Sequence, residues 1–152
     1  MPVIVDLRAR AILAESTRWL LGARITNYQF DDSIPKTSDP AIREIYRQFL
    51  WLLYCDLREY RLAGPDKLSQ AYRDTALRCI VFLKSGLPYA WPVLSRAQSF
   101  LLAAGNLLTL GAAGRIYFRR LHAAGDTTYW PFLTRAQYVA ALGSPAYLTG
   151  ER

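Results

Sequence analysis

A helix-start signal is spelled out twice in this chain, and it limits the fold more than any other feature. Trp91-Pro92-Val93-Leu94-Ser95-Arg96-Ala97-Gln98 returns as Trp130-Pro131-Phe132-Leu133-Thr134-Arg135-Ala136-Gln137, thirty-nine residues later. In both copies a hydroxyl residue precedes Gln by three places, the spacing of a capping box. The hydroxyl accepts from an orphan amide of the first turn, and the Gln side chain reaches back to the cap residue's own amide. The likeness fades beyond Gln98 and Gln137. Two copies without continuing similarity do not make a solenoid; the pair reads as shared helix-start chemistry, with a duplicated helix-turn unit as the alternative origin.

Other start and stop signals divide the chain in the same manner. Asp6 predicts a cap for a first helix running to Leu21, with Gly22 in the left-handed position past its end. Leu7, Ala11, Ala14, Trp19 and Leu21 supply its apolar surface. Residues 24–38 follow as a long loop, with Tyr28, Phe30, Asp31 and Asp32 in it. Asp39-Pro40 opens a second helix, since Pro at the first position needs no amide donor. Ile42, Ile45, Tyr46, Phe49, Leu50, Leu53, Leu57 and Tyr60 continue its helical spacing as far as Gly64-Pro65.

A third helix is predicted from Ser69 to Lys84, with an inward stripe of Ala71, Tyr72, Thr75, Ala76, Cys79, Ile80 and Leu83. The fourth starts at Ser95, and Gly111 and Gly114 kink or divide it. A fifth runs from Arg115 to Ala124, and a short sixth starts at Thr134 and stops at Gly143-Ser144-Pro145. Residues 147–152 read as a frayed tail. With no alternating strand pattern, the expectation is an all-α bundle of five to six helices in a single domain, residues 1–152.

From Ala97 to Gly114 there is no charged residue. Gln98, Asn106, Thr109 and three glycines make that run a poor hydrocarbon span. A central helix buried by its neighbours is the expectation, and composition argues against membrane insertion. The N-terminus lacks the basic start and apolar core of a secretory signal. Cys55 and Cys79 read as buried free thiols inside helices. A reducing, cytoplasmic setting follows from these readings.

The net charge of +7 rests on sixteen Arg and only three Lys. Arginine is the better fork for carboxylate and phosphate, so the balance suits an acidic protein, nucleic acid or anionic lipid. Arg115, Arg119 and His122 share one helix face with Arg120 beside them, a stripe that can hold phosphate or carboxylate. The Trp-Pro corners can gather Trp91, Trp130, Arg96 and Arg135 on one face, residue types enriched in interface hot spots and in cation–π pairs. His122 is the one histidine, and catalysis through it needs a carboxylate brought near by folding.

No motif for a cofactor, a nucleotide or a catalytic triad occurs. No Cys/His cluster spells a zinc site, and Asp31-Asp32 lack the companions a hard cation needs. Neither catalytic residues, a metal nor a cofactor is therefore assigned. The function expected is protein–protein binding by a non-enzymatic helical protein, of which a bacterial immunity or antitoxin-like role is one form. The partner would carry an acidic surface. The alternative is nucleic-acid binding through the arginine face.

Overall fold

The predicted cap residues begin the helices. In the computed structural model, which describes residues 4–109 and 111–143, Asp6 Oδ1 accepts from Ala9 N (2.9 Å) and opens α1, Leu7–Leu21. Asp39 Oδ1 accepts from Ala41 N (2.8 Å) and opens α3, Pro40–Gln48. Ser69, Ser95 and Thr134 open α4 (Gln70–Ser85), α5 (Arg96–Leu108) and α7 (Arg135–Leu142). With α2 (Asn27–Asp32) and α6 (Ala112–Ala124), the described residues hold seven α-helices, three short 3₁₀ turns and no strand. The molecule is all-α and a single compact unit, with one helix more than the upper expected number.

The extra helix lies inside the segment expected to be a loop. α2 occupies residues 27–32, and a complete capping box starts it. Thr26 Oγ1 accepts from Gln29 N (3.2 Å), and Gln29 Oε1 accepts from Thr26 N (3.0 Å). This is the device of Ser95 and Gln98, where the corresponding distances are 3.2 and 2.9 Å. The second tryptophan copy closes differently. Gln137 Oε1 accepts from Leu133 N (3.0 Å), one residue before the cap, so only the hydroxyl half of its box forms.

The second expected helix is cut short. It ends at Gln48, passes through a 3₁₀ turn at Leu50–Leu53 and then runs without helix to residue 63. The cause is Asn27, buried on α2. Its Nδ2 donates to the carbonyls of Cys55 and Arg58 (3.0 Å each), and its Oδ1 accepts from Tyr60 N (2.8 Å). The Asn27 amide also donates to Tyr60 O (3.0 Å). Backbone groups that a longer helix would pair internally are thus satisfied by one side chain and its own main chain. Leu57, expected on the apolar stripe, is 94% exposed as a result. Cys55 lies outside any helix and is half-exposed, whereas Cys79 is helical and buried as expected.

At the end of α1 the left-handed residue is Ala23 (φ 54°), not Gly22. The buried face of α1 is Ala9, Leu13, Ala14, Leu20 and Leu21, while Leu7 and Trp19 are exposed. α4 packs chiefly on α1 and α7 and contributes Ala76, Cys79, Ile80 and Leu83 to the core. Its Ala71 and Tyr72, both expected inside, are exposed. Phe132, between the second Trp-Pro corner and α7, is fully buried and meets Phe82 edge-on, with ring centres 5.1 Å apart.

A buried ion pair ties α1 to the start of α3. Arg10 Nε donates to Asp39 Oδ2 (2.6 Å) and Arg10 Nη2 to Asp39 Oδ1 (3.0 Å), with both side chains fully out of solvent. Arg10 Nη1 also donates to Leu87 O (2.6 Å), which fastens the α4–α5 connection, and its guanidinium lies over the Phe82 ring. Asp39 is therefore both a helix cap and the counter-ion of a buried arginine.

The largest departure concerns residues 96–124. They divide at Gly111 (φ 89°), a left-handed position that favours glycine. α5 and α6 pair with one another, and the expected burial of a central helix does not occur. No described residue of α5 is buried, and Gly114 alone is buried on α6. The hairpin joins the body through Leu121 and Ala124, which pack against the core. Tyr117 lies within the electrostatic reach of Arg47 and Glu44 on α3. α6 starts at Ala112, one turn earlier than expected. Residues 144–152, with the predicted tail and most of the final stop signal, lie outside the described residues, as does the side chain of Arg96.

Candidate functional site: an apolar and cationic helical hairpin

The α5–α6 hairpin is held by small residues. A side chain added at Gly105 would meet Ala113 Cβ at 3.3 Å, and one added at Gly114 would meet Asn106 Oδ1 at 2.8 Å. Asn106 Oδ1 accepts from Gly114 N, so a polar side chain bridges the two helices. Thr109 closes the turn by donating to Gly105 O (2.6 Å) and accepting from Ala113 N (3.2 Å). This close seam leaves the bulky residues nowhere to go but outward.

Phe100 (74%), Leu101 (66%), Leu107 (82%) and Leu108 (83%) are exposed on α5. They form two adjacent pairs seven residues apart, which puts them on one side of the helix. Ile116 and Phe118 are exposed on α6. Full burial of such a side chain is worth about 1.5–3 kcal/mol, so most of that stabilisation is unrealised here. Large apolar side chains exposed together are unusual on a protein surface, whereas scattered single ones are ordinary.

The cations lie beside it. Arg115, Arg119, Arg120 and His122 are all exposed on α6, as the face reading expects, and none is in an ion pair among the described residues. No Asp or Glu occurs between Asp74 and Asp126. Arg115 sits in the first turn of α6, the positive end of the helix dipole, where helix energetics disfavour a cation. Asp126, just past the hairpin, is the nearest carboxylate in sequence to His122. Its carboxyl is held below the usual range by hydrogen bonds from Thr128, with a smaller contribution from His122.

The two Trp-Pro corners meet through their tryptophans, which are buried or half-buried and do not stand on an exposed face. Trp91 is buried, and its Nε1 donates to Pro131 O (2.9 Å), so the first copy is fastened to the backbone of the second. Trp130 is half-buried. Its Nε1 donates to Tyr89 Oη (3.2 Å), and its carbonyl accepts from Arg78 Nε (3.3 Å). Burial pushes the Tyr89 phenol up to about 12. The two indoles, with Gln48, Tyr89, Pro92, Leu121 and Thr127, line a cleft of about 270 Å³ at the base of the hairpin. Arg135 is exposed on α7 and does not line it. The cation–π pairs formed among the described residues are Arg10 with Phe82 and Arg58 with Tyr60, neither at a Trp-Pro corner.

His122 is exposed and does not line this cleft. Among the described residues no cluster of three or more His, Cys, Asp or Glu is arranged to hold a metal ion. No described helix is long and apolar enough to cross a membrane. Comparison with protein-family models, curated proteins and solved structures found no match.

The sequence singled out the cations of the hairpin and missed its apolar residues. Phe100, Leu101, Leu107 and Leu108 read as core because apolar residues in a helical run normally face inward. The signal that could have exposed the mistake is the long stretch without a carboxylate around them.

Proposed function

We propose that this chain is a non-enzymatic docking protein that attaches through the α5–α6 hairpin to an apolar, negatively charged surface. One observation carries the reading: large apolar side chains stand exposed on α5, with arginines on α6 that form no ion pair among the described residues and no carboxylate on either helix. The cleft at the base of the hairpin is lined by aromatic, aliphatic and neutral polar groups. An acidic groove on another protein and an anionic lipid surface share the required chemistry. Nucleic acid satisfies Arg115, Arg119 and Arg120 but leaves Phe100, Leu101, Leu107 and Leu108 facing water, so it fits less of the surface.

The test is photo-crosslinking in the protein's native cells. A benzophenone amino acid at Leu107, exposed on α5, is compared with one at Lys36, exposed on the body. Adducts, whether to protein or to lipid, are expected from Leu107 and not from Lys36. Equal yields at the two sites, or none at Leu107, would reject the hairpin as the docking element.

A further inference from the structure

We infer that the surface which α5–α6 docks on is an anionic phospholipid bilayer. The hairpin lies flat at the headgroup boundary, with the apolar side of α5 among the acyl chains and Arg115, Arg119 and Arg120 at the lipid phosphates. This inference rests on the docking role proposed for the hairpin and names what it docks to.

The packing of the hairpin is the first argument. In water a helix pair buries its large apolar residues and exposes small or polar ones. Here the order is inverted, with Gly105, Ala113, Gly114 and Asn106 inside and Phe100, Leu101, Leu107 and Leu108 outside. Small residues at the seam, a side-chain hydrogen bond across it and bulky apolar groups outward is the arrangement of helices paired in apolar surroundings. A bilayer covers such a face without needing a matched shape.

The second argument is charge. Interfacial helices join an apolar face to a cationic one, and their binding combines apolar burial with attraction to anionic lipid. α5 supplies the uncharged apolar face and α6 the arginines, whose forked guanidinium suits phosphate. A protein interface usually rims its apolar centre with polar groups making matched hydrogen bonds. The exposed side of α5 from Phe100 to Leu108 carries no polar residue.

Length and charge position set the pose. Thirteen residues span roughly 20 Å at 1.5 Å per residue, short of the hydrocarbon core of about 30 Å. End-on insertion would draw Arg115, one turn beyond the Gly111 bend, into hydrocarbon. Lying flat keeps it at the headgroups. Composition argued against this segment as a span, and a surface-lying hairpin is a different mode.

The experiment is flotation of the full chain with two kinds of vesicle, phosphatidylcholine alone and phosphatidylcholine with roughly a third replaced by phosphatidylglycerol. Wild type should float with the anionic vesicles at least about tenfold more than with the neutral ones, and less as salt rises. Leu107→Ser/Leu108→Ser should reduce that partition on the order of a hundredfold. Arg115→Gln/Arg119→Gln should reduce it roughly tenfold at low salt and abolish the preference for anionic lipid. All four side chains are exposed, so unchanged far-ultraviolet circular dichroism checks that the fold persists. Lys36→Gln should float as wild type does.

Failure to float with either vesicle would overturn the lipid assignment. If Leu107 still forms protein adducts in cells, docking stands and the occupant is an acidic protein. If neither occurs, both readings fall. Retention by a duplex oligonucleotide that Leu107→Ser/Leu108→Ser leaves unchanged, without flotation, would assign the arginines to nucleic acid and also overturn it.

Discussion

Replacing Asp39 by Ala should be among the most damaging single changes available in this protein. The carboxylate accepts from Asp6 N (2.9 Å), Arg10 Nε (2.6 Å), Arg10 Nη2 (3.0 Å) and Ala41 N (2.8 Å). Its removal leaves the fully buried Arg10 guanidinium with Leu87 O and the Phe82 face as partners. Breaking a buried pair by deleting one member costs about 3–5 kcal/mol, because the remaining charge stays desolvated. Loss of the α3 cap adds about 1 kcal/mol. The two terms share one side chain and are not independent, so about 4–5 kcal/mol is expected, a large part of a typical domain stability of about 5–15 kcal/mol. Urea unfolding followed by tryptophan fluorescence measures it. Arg10→Met in the same background removes the stranded charge, and the double variant should regain about 2 kcal/mol over Asp39→Ala. A loss below about 1 kcal/mol for Asp39→Ala, or a double variant no better than Asp39→Ala, would refute the assigned role of the pair.

Three further outcomes follow from the geometry. Gly114→Val should drive its side chain into Asn106, which a Cβ alone would already approach to 2.8 Å. Hydrogen exchange should then quicken across α5–α6, while the global free energy of unfolding in urea changes by less than about 1 kcal/mol, since the hairpin contributes little to the core. Cys55 is half-exposed and Cys79 buried, with burial pushing the Cys79 thiol far up, so a thiol reagent should label one cysteine in the native protein and two in denaturant. Stability should fall as pH is lowered through the carboxylate range. Hydrogen bonds from Ala9 N and Thr37 hold Asp6 below its ordinary value, and Gln48, Arg47 and Arg43 do so for Glu44 against the opposing effect of burial. A depressed native pKa stabilises above the unfolded value and loses that contribution on descending through the native one. A urea midpoint unchanged between pH 6 and about pH 3 would contradict the assignment.

The helix starts were legible because caps are local. Asp6, Asp39, Ser69, Ser95 and Thr134 each bond amides two or three residues away, so no distant partner is needed to recognise them. Thr26 and Gln29 carry the same signature, but the segment around them lacks the long apolar period that marks a helix in sequence. The hinge at Gly111 was equally local. Helix length after Phe49 was not, since Asn27, more than twenty residues upstream, takes the backbone groups of residues 55–60.

Sequence alone determined that this chain is helical and where most of its helices begin. Capping and turn residues act within a few positions, and their geometry survives in any tertiary setting. Tertiary structure decided which apolar residues are core. Phe82 and Phe100 look equivalent in the sequence, yet Phe82 packs against Phe132 and Arg10 while Phe100 is exposed on a hairpin whose close contacts are made by Gly105, Asn106, Ala113 and Gly114. Burial depends on which surfaces meet, and periodicity within one helix does not say whether another element covers it.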